Sequence, residues 1–158
     1  MLLYRRRAHA EPSTAVEVLL VHPGGPFWAR RDTGWWSIPK GEIEAGEHEL
    51  AAAEREVAEE LGVALAPGPR LSLGEVVQAG GKHVVAWAAE ADVDVAAVVS
   101  GTFEMEWPPR SGRRQLFPEV DRAEWFDLRA ARTKLLAGQL PFLERLAALL
   151  GAPGGTTA

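Results

Sequence analysis

Short runs of apolar residues, several of them alternating with polar ones, recur along the chain, as they do in buried and half-buried β-strands. The glycine-bearing segment Gln78–Lys82 lies between two such runs and predicts a hairpin. Trp35–Ile38 is a candidate for one further short strand. The runs that predict strands are Met1–Tyr4, Val16–Val21, Leu71–Val77, His83–Ala89, Phe103–Trp107 and Arg122–Asp127.

A helical spacing of apolar residues is clearest over Glu47–Leu61, and Gly62 follows where a left-handed C-terminal cap belongs. At 100° per residue, its apolar positions form a narrow stripe that we expect to face the core: Leu50, Ala53, Val57 and Leu61. Leu128–Ala137 and Pro141–Leu150 also predict helices, the second with proline in its first turn and Gly151 after its last residue.

The order of these elements predicts a mixed α/β fold with one prominent central helix. The segment between Pro23 and Gly46 is rich in glycine and proline and is expected to be loop-like. Ala8–Thr14 is expected to be a loop between the first two strands. We expect one domain over residues 1–151 and a flexible tail over 152–158.

Composition excludes several classes of function. The 158 residues are 47% hydrophobic and carry a formal charge of −5, so binding to the phosphate backbone of a nucleic acid is not expected. Cysteine is absent, which removes disulfides, thiolate nucleophiles and cysteine-zinc sites. No stretch approaches the about 20 apolar residues of a membrane helix, and the first seven residues are too short for a signal peptide. We expect a cytoplasmic monomer or homodimer without a membrane partner.

Three glutamates on the predicted central helix indicate a candidate site for a divalent cation. Glu56, Glu59 and Glu60 lie at i, i+3 and i+4, within an arc of about 100° beside the apolar stripe. Like charges at this spacing repel by roughly 0.2–0.5 kcal/mol per pair. A hard divalent cation such as Mg²⁺ turns that repulsion into attraction and bridges carboxylates to phosphates. The alternative is a solvated acidic face without a site.

The residues around this triad form a longer pattern. Gly41, five residues, Glu47, seven residues and then Arg55-Glu56-Val57-Ala58-Glu59-Glu60-Leu61-Gly62-Val63 resembles the Nudix box at every specified position. Seven fixed residues and two aliphatic ones match by chance roughly once in 10⁹ at a given start. If the three glutamates were only an exposed acidic face, Gly41, Glu47, Arg55 and Gly62 would not be expected at the spacing that the motif requires.

The resemblance implies an α/β/α sandwich with a mixed central sheet and a loop-helix catalytic motif. It also implies hydrolysis of a nucleoside diphosphate linked to another group, X, by water that a metal activates. By position, Glu56, Glu59 and Glu60 correspond to metal-binding carboxylates, with Mg²⁺ as the cofactor and Mn²⁺ as its substitute. The Gly41 carbonyl is a further candidate ligand. Glu47 and Arg55 correspond to the pair that orients the carboxylates, and Glu119 to a later catalytic carboxylate, although a loop residue in water is the commoner explanation of it.

Residues outside the box are candidates for substrate binding. Lys40 precedes the box glycine and is a candidate phosphate contact, or an exposed lysine. Trp28 and Trp35 are candidates for stacking on a nucleobase, although core packing is the commoner fate of tryptophan. Arg30, on the same loop, is a further phosphate candidate or a solvated charge.

The Nudix-like motif implies which type of bond is cleaved but says little about which substrate contains it. Trp36-Ser37-Ile38-Pro39-Lys40-Gly41 is similar to the segment before the box in some diadenosine-polyphosphate hydrolases. A tyrosine expected 16–18 residues after the box in such enzymes is missing, because Tyr4 is the only tyrosine. We therefore expect a nucleotide substrate, either a dinucleoside polyphosphate or a nucleoside triphosphate. The alternative is a Nudix-fold module that senses a nucleotide without cutting it.

Overall fold

The structure is a computed structural model that describes residues 1–8, 10 and 15–151. The tail predicted over 152–158 and most of the loop predicted over Ala8–Thr14 lie outside the described residues. Short 3₁₀ turns occupy Val95–Ala97 and Ala137–Gln139. The strands and helices are β1 (Leu2–Arg6), β2 (Val16–Pro23), α1 (Glu49–Leu61), β3 (Leu71–Val77), β4 (His83–Glu90), β5 (Thr102–Glu106), β6 (Arg114–Pro118), β7 (Val120–Asp127), α2 (Leu128–Lys134) and α3 (Leu140–Leu150).

Five strands form one mixed sheet in the order β3-β4-β1-β2-β7. β1 runs parallel to β4, with Leu2 opposite Ala88, and the other neighbouring pairs are antiparallel. Because β1 is antiparallel to β2 and parallel to β4, the end of β2 and the start of β4 lie at the same end of the sheet. β5 and β6 pair separately as a two-stranded sheet.

Both faces of the central sheet are covered, because side chains on a strand alternate between its faces. Leu2 and Tyr4 point into a core cluster that α2 and α3 complete, with Phe142 and Leu146 at its centre. Leu3 points to the opposite face, where α1 packs its apolar side. The mixed-sheet α/β/α sandwich predicted from the sequence is confirmed.

The central helix forms as its apolar spacing predicts, two residues later than expected. His48 caps α1 by accepting a hydrogen bond at Nδ1 from the Leu50 amide at 3.2 Å. Val57 and Leu61 are fully buried, while Leu50 is half-buried. Gly62 ends the helix at φ +69°, a left-handed conformation that favours glycine, and its N–H donates to the Ala58 carbonyl at 2.9 Å.

The segment after β7 differs in one respect from its prediction. The helix expected over Leu128–Ala137 ends at Lys134, because Leu135 is extended and forms a β-bridge with Trp36. The Leu136 amide also donates to the Trp36 carbonyl at 2.8 Å. The strand expected over Trp35–Ile38 accordingly reduces to isolated bridges at Trp36 and Ser37.

One strand is missing from the sequence prediction. β6 pairs with β5, placing Phe103 opposite Phe117 and Glu104 opposite Leu116. Its side chains are exposed except for Phe117, which is half-buried, so the strand has no apolar alternation along its length. Its conformation depends on its partner strand rather than on its own pattern.

The last helix agrees closely with its prediction. α3 starts with Pro141 in its first turn and ends before Gly151, whose φ is +64°. At 11 residues it is too short to cross a bilayer. None of the helices in the described ranges has the length and apolar character that a membrane crossing requires.

Two leucines on α3 provide a matched test of the core. Leu146 is fully buried, whereas Leu149 is 56% exposed. Leu146→Ala is expected to lower the free energy of unfolding by about 2–5 kcal/mol, because it removes buried methyl groups and leaves a cavity. Leu149→Ala is expected to change it by less than about 0.5 kcal/mol. Urea unfolding of the two variants measures both values, and equal losses would contradict this packing of α3.

Candidate functional site

A cleft of about 250 Å³ opens beside α1 at the end of the sheet where β4 begins. One wall is the loop that follows Pro39 together with the first two turns of α1, and the other is the first half of β4. Its charged and polar lining brings two lysines, carboxylates and a histidine into one space. Its lining includes Lys40, Gly41, Glu56, Lys82, His83 and Trp87.

β4 supplies its wall through strand alternation. Val84, Ala86 and Ala88 point into the core on the α3 side, so His83, Val85 and Trp87 point to the α1 side. The His83 ring pairs through Nδ1 with the carboxylate of Glu75 on β3. Trp87 is half-buried against the second core cluster, which lies between α1 and the sheet and contains Leu3, Val57 and Leu61. Its remaining surface lines the cleft.

Arg55 holds the acidic residues of the motif in place. Its Nε and Nη2 donate to the two carboxylate oxygens of Glu47, each at 2.9 Å, which is a bidentate pair. Nη1 donates to Glu56 at 2.8 Å and to Glu59 at 3.0 Å. Nη2 also donates to the Glu42 carbonyl at 2.9 Å. All five N–H groups of the guanidinium therefore have acceptors.

The loop before α1 folds back on itself so that Glu47 meets Arg55. The Glu44 amide donates to the Glu47 carboxylate at 3.0 Å, and the Glu47 amide donates to the Glu44 carbonyl at 3.0 Å. The Arg55 guanidinium and the Glu44 amide together lower the pKa of Glu47 to about 2. The hydrogen bonds to Glu47 and Glu56 raise the pKa of Arg55. Glu47 therefore stays ionised and acts as the fixed counter-ion of Arg55.

Glu56 lies directly against the box glycine. A Cβ built at position 41 would overlap the Glu56 carboxylate, so a larger residue there would displace this carboxylate from its pairing with Arg55. The Glu56 side chain is 13% exposed and lines the cleft. The sequence pattern thus reflects a close approach between the loop backbone and this carboxylate.

Glu60 occupies a different environment from its neighbours. Its Oε2 accepts a hydrogen bond from the Lys40 backbone amide at 3.0 Å. Burial raises the pKa of Glu60 to about 7, although the Lys40 amide opposes the shift. Glu59 is 57% exposed and is held only by Arg55 among the contacts of the described residues. The helix therefore carries one carboxylate in water and one in a poorly solvated position.

The three glutamates do not form one compact cluster. Within the described ranges, no three Asp, Glu or His side chains converge closely enough to hold a metal ion. Glu56 and Glu59 turn toward Arg55, whereas Glu60 turns toward Lys40. A shared ion requires that Glu59 leave Arg55, which its exposure permits at little cost.

The other predicted site residues lie in several places. Lys40 lines the cleft, as expected for a phosphate contact. Trp28, Trp35 and Arg30 do not line it and lie earlier on the same connection between β2 and α1. Glu119 is exposed, and its side chain lies against Gly101 rather than along the cleft wall.

Sequence reasoning missed the β4 wall of the cleft. The hairpin prediction covers Lys82, His83 and Trp87 but gives them no functional role. A signal is present, because residues at alternate positions of a strand, such as His83 and Trp87, share one face. Which helix covers that face depends on the sheet order, and the strand alone does not show it.

Comparison with known proteins identifies relatives. A family model described as the NUDIX domain matches residues 5–146. The asymmetrical bis(5′-nucleosyl)-tetraphosphatase of Sus scrofa is 34% identical over 107 residues, which are 63% of this chain and 69% of the pig protein.

Solved structures share the fold. An Ap4A hydrolase of C. elegans, solved as a binary complex, superposes with a TM-score of 0.64 at 22% identity over 95% of both chains. The NUDIX domain of Shewanella oneidensis NrtR, solved with ADP ribose, superposes with a TM-score of 0.60 at 20% identity over 94% of this chain and 84% of the other. At these identities the similarity establishes the fold and not the activity.

The Arg55–Glu47 pair makes stability depend on pH in a defined direction. The pKa of Glu47 is about 2 in the folded chain against an ordinary value of 4.5. The stabilisation is therefore complete above about pH 4.5 and is lost as the pH falls toward 2. We expect Glu47→Gln to lower the melting temperature at pH 7 and to do so by a smaller amount at each step below pH 4.5.

Melting curves of the wild type and Glu47→Gln between pH 7 and pH 3 measure this difference. Glu144→Gln is the matched control, because Glu144 forms an exposed ion pair with Arg132 at 2.9 Å and has one partner instead of a network. Its effect at pH 7 is expected to be the smaller of the two. A Glu47→Gln difference that stays constant from pH 7 to pH 3 would contradict the bidentate pair.

Proposed function

The chain belongs to the Nudix family, and from that premise we propose that it hydrolyses a pyrophosphate bond of a dinucleoside polyphosphate with Mg²⁺ as its cofactor. It is a pyrophosphohydrolase of this family. The observation that carries the proposal is the cleft beside α1, where the Glu56 carboxylate and Lys40 line one space. The Glu56 carboxylate can bind a divalent cation, and the Lys40 ammonium group can contact phosphate, so together they suit a polyphosphate with its metal ion.

The donors present fit a hard divalent cation. Carboxylate oxygens are the ligands that Mg²⁺ prefers, and Mn²⁺ is expected to substitute for it. Glu60 is a carboxylate whose ionised form is disfavoured by burial, as its raised pKa of about 7 indicates, so a bound cation would stabilise it. Glu56, Glu59 and Glu60 would hold the ion, with the Gly41 carbonyl as a further ligand. Bound there, the ion would neutralise phosphate charge and make water a stronger nucleophile.

The protein's own groups position the substrate around that ion. Lys40 and Lys82, on opposite walls, attract the polyphosphate and hold it across the cleft. Arg55 holds Glu56 in one rotamer beside the cleft, where its carboxylate would meet a cation that accompanies the polyphosphate. Trp87 offers an aromatic surface for the nucleobase nearest the cleft. Glu119 stays a candidate for the carboxylate that accepts a proton from water.

Two observations favour two nucleosides over one. The pig relative, at 34% identity, is named for cleavage of a bis(5′-nucleosyl) tetraphosphate. The segment Trp36–Gly41, which enters the cleft through Lys40 and Gly41, is the part of the sequence similar to diadenosine-polyphosphate hydrolases. A nucleoside triphosphate is the alternative substrate, and it needs only the groups that line the cleft.

The carboxylates can be tested by amide substitution. Glu59→Gln and Glu60→Gln are each expected to lower kcat/KM by at least about 100-fold, because loss of even an outer partner of a metal ligand costs about 10- to 100-fold. The melting temperature without metal is expected to stay near that of the wild type. Glu59 is exposed, and the side-chain amide in Glu60→Gln keeps an oxygen that accepts from the Lys40 amide. Steady-state kinetics and melting curves with EDTA measure both effects.

Glu54→Gln is the matched control on the same helix, because Glu54 pairs with Arg70 at 2.8 Å and does not line the cleft. It is expected to keep wild-type turnover. Added Mg²⁺ should raise the melting temperature of the wild type and of Glu54→Gln, and less or not at all that of Glu60→Gln. Wild-type rates in Glu59→Gln and Glu60→Gln would show that the metal roles are assigned wrongly.

A substrate panel tests the function itself. Diadenosine tetraphosphate, adenosine triphosphate and ADP-ribose are each incubated with the protein and Mg²⁺ or Mn²⁺, and the products are separated by ion exchange. We expect kcat/KM for diadenosine tetraphosphate to exceed that for the triphosphate by about tenfold or more. A preference for the triphosphate would instead establish the alternative substrate. A melting shift with no product from any compound would indicate a sensing module.

A further inference from the structure

A group of aromatic side chains lies outside the cleft and has no role in the mechanism above. Phe27, Trp28, Trp35 and Trp107 form this group, which we call the aromatic platform. Trp28 and Trp35 lie 5.1 Å apart between ring centroids at a tilt of 31°, and Phe27 meets the Trp107 ring edge-on at 5.2 Å. Phe27 is nevertheless 53% exposed and Trp28 36%. Exposed adjacent aromatic rings on a folded domain commonly mark a binding surface.

The loop that carries Phe27, Trp28 and Trp35 is anchored to the rest of the chain at Arg31, Asp32 and Gly34. The fully buried His22 ring contacts the Arg31 carbonyl through Nε2 and the Asp121 carboxylate through Nδ1, both at 2.7 Å. The Trp36 indole donates to Asp32 at 2.8 Å, and the Gly34 amide donates to the Thr133 carbonyl at 3.0 Å. Binding to a surface that is already ordered costs little conformational entropy.

The charges around the platform are complementary to phosphate. Arg31 lies over the Trp35 ring at 5.1 Å, and the exposed Arg30 forms no ion pair with another residue in the described part of the chain. The one carboxylate between Pro23 and Trp36, Asp32, is already paired with Lys134 at 2.5 Å. A guanidinium over an aromatic ring, with a second arginine next to it in the sequence, suits a base that is attached to phosphates, in a chain whose net charge is −5.

The platform and the cleft lie within reach of each other. The loop after β2 and the start of β4 are at the same end of the sheet, as the strand directions require. Lys40 follows Trp35 by five positions, so their Cα atoms are at most about 18 Å apart. A flexible polyphosphate bridge with its two riboses covers such a span.

The cleft alone is too small for both nucleosides. Its volume of about 250 Å³ is below the roughly 300–1,000 Å³ of sites that enclose a drug-sized ligand. The second nucleoside of a dinucleoside polyphosphate must therefore bind outside the cleft.

We propose that the aromatic platform binds the base of this second nucleoside by stacking it on Trp28, with Phe27, whose ring is inclined at 61° to that of Trp28, against the edge of the base and Arg30 near the polyphosphate bridge. The assignment rests on the proposed function, because only a two-base substrate needs a second base site. Stacking accepts every base, so the platform selects for the presence of a second base and not for its identity. It is a specificity determinant and takes no part in the bond cleavage.

Kinetics with one-base and two-base substrates test the platform. Phe27→Ala and Trp28→Ala are expected to lower the ratio of kcat/KM for diadenosine tetraphosphate to that for adenosine tetraphosphate by about tenfold, chiefly through KM. Trp28→Tyr, which keeps an aromatic face, is expected to restore most of the ratio. Leu149→Ala is the control, because it removes an exposed apolar side chain on α3 and is expected to leave the ratio unchanged.

A binding measurement separates failure of this proposal from failure of the proposed function. Calorimetric titration of diadenosine tetraphosphate into the EDTA-treated wild type and Phe27→Ala needs no turnover. Weaker binding by about tenfold in the variant supports the platform even if the wild type cleaves nothing. An unchanged ratio together with unchanged binding overturns the platform, as does absence of binding by the wild type. A variant that alters only the oligomeric state in light scattering also overturns it, in favour of a contact between copies.

Discussion

The hydrogen bonds of the Arg55 guanidinium are the interactions on which the geometry of the motif beside the cleft depends. Its five N–H groups connect the loop before α1, through Glu47 and the Glu42 carbonyl, to the acidic face of the helix, through Glu56 and Glu59. A lysine has three donors on a flexible stem and cannot make the same set of contacts. The geometry of the loop and the rotamers of two carboxylates are thus set by one side chain.

The mixed sheet decides what that helix faces. Because β1 lies parallel to β4 in the middle of the sheet, the start of β4 comes next to the loop after Pro39 and to the first turns of α1. The second core cluster, with Val57 and Leu61 at its centre, presses α1 onto this part of the sheet. The apolar side of the helix fixes its position, and Glu56 then lines the cleft. One side of α1 therefore packs in the core, and another side carries the polar residues of the motif.

The motif residues could be predicted from the sequence because their constraints are local. Helical spacing defines the acidic face of α1, Gly62 must adopt a left-handed cap, and Gly41 must leave room for Glu56. The β4 wall of the cleft could not be predicted in this way, since Trp87 reaches the cleft only through the order of strands in the sheet. The same limit applies to β6, whose extended form depends on pairing with β5.

The division between helix and loops also bears on substrate choice. In the proposed function, the carboxylates that Arg55 organises would bind the cation that accompanies every pyrophosphate and would not contact the nucleosides. Such groups cannot distinguish one attached nucleoside from another, so selectivity must come from surfaces that touch the nucleosides. In the binding mode proposed here, those surfaces are Trp87 on β4 and Phe27 and Trp28 on the loop after β2. Specificity can therefore change by substitution in a strand face or a loop while the helix and its arginine stay constant.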